Sequence, residues 1–412
     1  MAYRDEVYFE CEPEKEVPFS SEEFASRLRR VREYMSNVNI DCLYLTAPSS
    51  MYYVSGYQCE WYQSDSPKEW PATSGIAVHV DHDKYILFDS EREAILGRVY
   101  TNSTDTCFFP RDSYRDGSKF VVDELKSEGW LDGNVGLEFW SHRPNRAISE
   151  RFQKNFEQAG VTVVDGSDVL RDIRWIKSDT EMECLERAAA IADIGLIAAR
   201  DVIRPGVTEL EVYGAMVQAM AAAGGENPGI TMPVLSGKKA NCGHALASRR
   251  KIQAGETVFV DVCGVYKRYH MNTARTFSLG EPDTDVLEVA NKVKDGVTLL
   301  KNTIRPNLPV RELNQTMLDF YQSNNLWDRR GWLGGYEVGI AFPPDWVGNF
   351  VYDLQAEKNS DKVFEAGTAV NYEHQFFLPR HLGTLFQIDS ILYKDQDANV
   401  QSKFADGLTV IE

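Results

Sequence analysis

Two side chains combine a reactive type with a setting in which chemistry is possible. Asp261 stands in the run Thr257-Val-Phe-Val-Asp-Val262, an otherwise apolar strand. A carboxylate there is partly buried and needs a partner. It could hold a cationic group, position water or attack carbon. The plain alternative is an ion pair with Arg275 or Lys267. His244 lies in a loop of small residues, Ser236-Gly-Lys-Lys-Ala-Asn-Cys-Gly-His244-Ala-Leu, between two predicted strands. Imidazole titrates near neutral pH, which makes it the natural proton shuttle. The plain alternative is a loop histidine that caps a strand. An anion and a shuttle are what hydrolytic chemistry requires.

These residues need elements to carry them. Residues 21–36 place Phe24, Leu28, Val31 and Tyr34 on one helical face. Cys42-Leu-Tyr-Leu-Thr46 reads as a buried strand that ends at Pro48. Ile76–Val80 and Tyr85–Phe88 flank a turn-rich segment and read as a hairpin. Further strands are expected at Val135–Phe139 and Val161–Val164, with a helix at about 146–159 between them. Alternating strands and helices make residues 1–172 an α/β domain. Ser178-Asp-Thr-Glu181 is a capping box in front of an Ala-rich helix that runs to about residue 203. The second domain therefore spans 173–412. Within it, Ala198-Ala-Arg-Asp-Val-Ile-Arg-Pro-Gly-Val-Thr-Glu-Leu is echoed by Leu299-Leu-Lys-Asn-Thr-Ile-Arg-Pro-Asn-Leu-Pro-Val-Arg-Glu-Leu. Two copies of one helix–turn–helix–strand unit imply a pseudo-two-fold domain.

Composition narrows the function classes. The 412 residues are 43% hydrophobic and 26% charged, which suits a soluble globular protein. A net charge of −18 argues against nucleic acid and against an anionic membrane surface as partners. The seven cysteines show no C-x-x-C spacing, so reduced thiols and a cytoplasmic setting are expected. The first residues lack an apolar core, so no signal peptide is expected.

The segment Val258-Phe-Val-Asp261-Val-Cys-Gly-Val-Tyr266-Lys-Arg-Tyr269-His270-Met-Asn272-Thr-Ala-Arg275-Thr-Phe277 resembles the signature of the pita-bread family. That family includes prolidases, methionine aminopeptidases, creatinases and ectoine hydrolases. The resemblance implies an α/β N-terminal domain followed by an α+β pita-bread domain. In metal-dependent members, five positions supply ligands. Here Asp261 keeps the first and Asn272 occupies the second. Tyr336, in Gly334-Gly-Tyr336-Glu-Val-Gly339, stands where the family has a histidine. Glu373 fits the next, and Ile388 takes the last. Hard divalent ions need several anionic oxygens, so no metal and no cofactor is expected.

Val265–His270 together with Gly335-Tyr-Glu-Val-Gly-Ile-Ala-Phe-Pro-Pro-Asp-Trp346 looks most like the ectoine hydrolase branch. The linker from Arg174 and the helix through Ile191–Gly195 look like creatinase. The resemblance implies a metal-independent hydrolase of a non-peptide C–N bond in a small polar molecule, by ring opening of a cyclic amidine. The alternatives are a creatinase-type amidinohydrolase, a non-catalytic pita-bread module that binds peptide or protein, and a metallopeptidase with an unorthodox site. It also implies His244, Asp261 and Glu373 as catalytic residues. His270, Asn272, Tyr336 and Trp346 would line the pocket, with Tyr336 able to donate to an oxyanion. Creatinase-type dimers close the site with a loop from the neighbour's first domain. The matching loop here, with Trp61 and Tyr62, implies a homodimer.

Overall fold

The computed structural model describes residues 3–60, 67–103, 105–109, 116–356 and 358–412. The chain divides into two compact units, Met1–Ile173 and Arg174–Glu412.

The first unit is built on a six-stranded sheet in the order Thr106–Phe109, Tyr85–Ser90, Gly75–His79, Cys42–Leu45, Asn134–Leu137, Thr162–Asp165. The two pairings at its centre that involve Gly75–His79 are antiparallel and the other three are parallel. Helices Gly117–Ser127 and Arg146–Gln158 bury Val121, Leu125, Phe152 and Phe156 against Tyr44, Phe88 and Val135 of the sheet. One element departs from expectation. The buried strand Cys42–Leu45 forms and stops before Pro48 as expected, but Pro48 then opens the helix Pro48–Ser55. Proline fits the first turn because its missing N–H is not needed there. The open amides at that end are satisfied by the buried Glu138, whose Oε2 accepts from Thr46 N and Ala47 N at 2.6 and 2.7 Å. A carboxylate at a helix N-terminus is favoured by both hydrogen bonding and the helix dipole.

The second unit carries a nine-stranded sheet. Its main path runs Val351–Asp353, Arg330–Tyr336, Thr368–Phe377, Thr384–Tyr393, Tyr269–Leu279, Thr257–Tyr266, Val234–Ser236. The capping box is present: Ser178 accepts from Glu181 N, and Glu181 reaches back to Ser178 N. The two echoed segments both fold as expected. Helix Asp179–Val202 stops at Ile203 and is followed by Glu209–Ala222, while Thr284–Thr303 stops at Ile304 and is followed by Val310–Ser323. In both, the isoleucine after the helix is extended, with ψ 117 and 135°, as a nearby X-Pro step favours.

Strand alternation assigns the faces. Val258, Val260 and Val262 pack on the first helix pair, and Val370, Tyr372 and Phe376 pack on the second. That leaves Phe259, Asp261, Asn272, Ala274, Ile388 and Glu373 on the opposite face. Gly264 marks the tightest approach of strand to helix. A Cβ there would sit 1.9 Å from the Ala188 carbonyl oxygen, so only glycine lets the strand lie against the helix.

Candidate active site

The sheet register places one row of residues across four strands. Asp261 pairs with Ala274, Ala274 with Ile388, and Ile388 with Glu373. Paired residues share a face, so both carboxylates rise from the helix-free side. Three strand spacings separate their backbones, about 14 Å in all. The side chains span that gap through two amides. Asn272 Nδ2 donates to Asp261 Oδ1 at 2.6 Å. Asn272 Oδ1 accepts from Asn371 Nδ2 at 3.2 Å, and the same Nδ2 donates to Glu373 Oε1 at 3.1 Å.

Neither carboxylate has a cationic partner among the described residues. Burial pushes Asp261 up to about 7, opposed by the Asn272 hydrogen bond. Burial, then the Asp261 charge, pushes Glu373 up to about 8 against hydrogen bonds from Asn371 and Tyr336. The ion pairs offered as the plain alternative do not form. Arg275 lies on the other face and binds Asp389 at 2.8 Å, with both side chains fully buried. Lys267 instead lies over the Tyr266 ring.

Tyr336 and Trp346 join the same network. The Trp346 indole N–H donates to the Tyr336 hydroxyl at 3.0 Å, and that hydroxyl donates to Asn272 Oδ1 at 3.3 Å. Trp346 is buried in the core beside it. His270 is fully buried, and both its ring nitrogens are engaged: Nε2 accepts from Gly229 N at 2.9 Å, and Nδ1 donates to the Arg268 carbonyl at 2.8 Å. Burial, helped by the Arg268 charge, lowers its pKa to about 3. It is a neutral structural wall, not a proton carrier. His374 faces the helices, where its Nδ1 meets the Tyr321 hydroxyl at 2.9 Å.

His244 is exposed, in the turn after the short helix Gly237–Asn241. Its neighbour Gly243 fixes where that turn sits: a Cβ there would be 2.9 Å from Phe386 Cζ and 3.8 Å from Gln375 Nε2. Phe386 pairs with Gln375, one same-face step from the Ile388–Glu373 pair, and stacks on Phe259 at 3.9 Å. The His244 turn thus rests on the row adjacent to the carboxylates. Trp61 and Tyr62 lie outside the described residues.

Sequence reasoning missed Asn371, which bridges the two halves of the network. Its position two residues before Glu373 puts it on the same face and could have disclosed it.

Residues 183–395, more than half of the chain, match the model of Metallopeptidase family M24, and residues 27–176 match the Creatinase/Prolidase N-terminal domain. The chain belongs to the metallopeptidase family M24. An ectoine hydrolase of Halomonas elongata is 25% identical, over 80% of this chain and 84% of that protein. A Xaa-Pro dipeptidase of Pyrococcus furiosus is 23% identical, over 92% of this chain and 97% of its own. Among solved structures, a Xaa-Pro dipeptidase from Bacillus anthracis superposes with a TM-score of 0.78, at 21% identity, covering 94% of this chain and all of its own. That likeness establishes the fold.

These matches correct the expected function. The dipeptidases of M24 match as well as the ectoine hydrolase and over more of the chain, so assignment to a metal-free, ectoine-hydrolase-like branch acting on non-peptide bonds does not stand. A creatinase of Bacillus sp. is 27% identical, over 88% of this chain and 85% of that protein.

The M24 description implies a metal held by side-chain donors. Among the described residues, no group of three or more His, Cys, Asp and Glu side chains could hold an ion. Asn272 directs an N–H at Asp261, where a metal would need a free lone pair. The Tyr336 oxygen already takes the Trp346 N–H, and Ile388 offers no donor atom. The residues present do not fit such a centre. No helix among the described residues is long and apolar enough to cross a membrane.

Proposed function

We propose that this chain hydrolyses the amide C–N bond of a short peptide, of the Xaa-Pro dipeptide class for which its M24 relatives are named. The observation that carries this reading is the pair Asp261 and Glu373, joined through Asn272 and Asn371 on one face of the sheet and lifted by burial to about 7 and about 8. Near neutral pH the two carboxyl groups hold roughly one proton, mostly on Glu373. Ionised Asp261 takes a proton from water as the water oxygen bonds to the carbonyl carbon. Tyr336, whose 3.3 Å bond to Asn272 is long, turns its O–H to the oxygen that gains charge. Glu373 gives its proton to the nitrogen as the C–N bond breaks. One proton has then moved from Glu373 to Asp261, and His244, seated one row away, returns it through solvent.

The reading extends to a homodimer with the neighbour's N-terminal domain near the site. It also extends to a cytoplasmic setting, which the seven free cysteines support.

The test is a panel of Xaa-Pro and other dipeptides, with products read by mass spectrometry. Asp261→Asn and Glu373→Gln should each lower kcat by about 10²-fold or more, the usual scale of general acid–base catalysis. A panel left uncleaved, or wild-type rates in both variants, would overturn the reading.

A further inference from the structure

Outside the catalytic row, one fully buried carboxylate gathers more hydrogen bonds than any helix cap requires. Glu209 is the first residue of helix Glu209–Ala222, where Thr208 and Glu211 already make the capping box. The Glu209 side chain turns inward and is 0% exposed. Its Oε1 accepts from Ser236 N at 3.0 Å and Ser236 Oγ at 2.8 Å. Its Oε2 accepts from Lys239 Nζ at 2.5 Å, Ser248 N at 3.0 Å and Ser248 Oγ at 2.9 Å. A carboxylate offers about four lone-pair directions, so this one is saturated.

Ser236 and Ser248 are the two ends of the loop that carries His244. Leu246 is 62% exposed and His244 is exposed, so around the histidine only Ala245 packs on the core. The loop's other anchors include the buried Ala240 in the core beside Phe259 and Phe386, Gly243 on Phe386, bonds of 3.2 Å from Thr384 Oγ1 to Asn241 Oδ1 and 3.4 Å from Asn241 Nδ2 to the His381 carbonyl, and a 2.7 Å bond within the loop from Lys239 Nζ to the Leu246 carbonyl. Burial pushes Glu209 up, but hydrogen bonds from Lys239, Ser236 and Ser248 outweigh it and hold the group below the ordinary carboxylate range, hence ionised. Charge-assisted bonds of this kind are the strong ones.

We propose that Glu209 is a positioning residue, a clip that joins both ends of the 237–247 loop and so fixes His244 over the row beside Asp261 and Glu373. The proposal rests on the catalytic reading of His244 given above. Each oxygen serves one end: Oε1 holds Ser236, while Oε2 holds Ser248 and, through Lys239, the loop's interior. Cutting either set frees one end and lets the histidine move without disturbing the strands beneath.

The test uses Glu209→Gln in the full chain. Glutamine keeps one acceptor oxygen but turns an NH2 group toward donors on the other side. Hydrogen exchange read by mass spectrometry should quicken about tenfold or more at Ala245 and Ser248, with the strands Thr257–Tyr266 and Tyr269–Leu279 unchanged. Dipeptide turnover should fall about tenfold in kcat with little change in KM. The double variant Glu209→Gln/His244→Ala should be no slower than His244→Ala alone, since both changes remove one function. If Glu209→Gln fails to fold, Ser248→Ala, which deletes one donor and leaves the carboxylate, should give the same pattern at about threefold. Unchanged exchange in the loop overturns the clip. Losses that multiply in the double variant overturn the link to His244. Wild-type kcat in His244→Ala removes the catalytic premise and overturns the proposal from that side; the exchange rates tell this apart from a failed clip.

Discussion

Replacing Asp261 by asparagine should make the protein more stable at alkaline pH and leave its stability unchanged in acid. An aspartate has an ordinary value of 3.8, and burial lifts Asp261 to about 7. Because the folded value lies above the unfolded one, the fold prefers the protonated group. The penalty for ionising it is absent below about pH 4, grows between pH 4 and 7, and is complete above. At about 1.36 kcal/mol per unit, full desolvation would cost roughly 4 kcal/mol. Solvent still reaches part of Asp261, so about 2 kcal/mol is the expected net effect. Asparagine keeps an oxygen for Asn272 Nδ2 and carries no charge, so it escapes the penalty. For a cooperative unit the size of Arg174–Glu412, about 2 kcal/mol corresponds to a gain of roughly 4–8 °C in Tm. Thermal unfolding of both proteins from pH 4 to 9 measures it. The wild type should fall behind the variant progressively up to pH 8. A variant that is less stable at pH 8, as the loss of an ion pair would make it, or a difference that does not vary with pH, would refute the reasoning.

The pH dependence of kcat/KM should form a narrow bell, rising through about 7 as Asp261 ionises and falling through about 8 as Glu373 loses its proton. Glu373→Gln should remove the alkaline limb from whatever activity remains. Arg275→Met strands Asp389 without its partner in the core and should cost about 3–5 kcal/mol in urea unfolding, although Arg275 touches neither catalytic carboxylate. Gly264→Ala should cost about 3 kcal/mol by the same measurement, because the new methyl collides with the Ala188 carbonyl.

Much of the scaffold was legible because the signals are local. The capping box at Ser178 and Glu181 formed as written, since all its atoms lie within one helical turn. The echoed Ile-Arg-Pro segments each ended a helix, because proline restricts the backbone just before it whatever the tertiary context. The helix Pro48–Ser55 was not legible. Its start depends on Glu138, 91 residues beyond Ala47, which supplies the acceptor that no neighbour in sequence provides.

The site divides along the same line. Sequence alone determined that Asp261 is a carboxylate among apolar strand residues and that His244 sits in a loop of small residues. It could not determine which charge would answer Asp261. Arg275 was near enough in sequence to do so, but the register puts it opposite Val260, on the face where Asp389 waits. Nor could it show that His270, one of the two histidines nearest the site in sequence, spends both ring nitrogens on backbone groups. The role of Asn371 as a bridge and of Glu209 as a clip came only from the packed structure. The physical reason is that a strand's period of two fixes which side chains share a face within one strand, whereas which strands lie side by side, and in what register, depends on cores and turns far away in the chain.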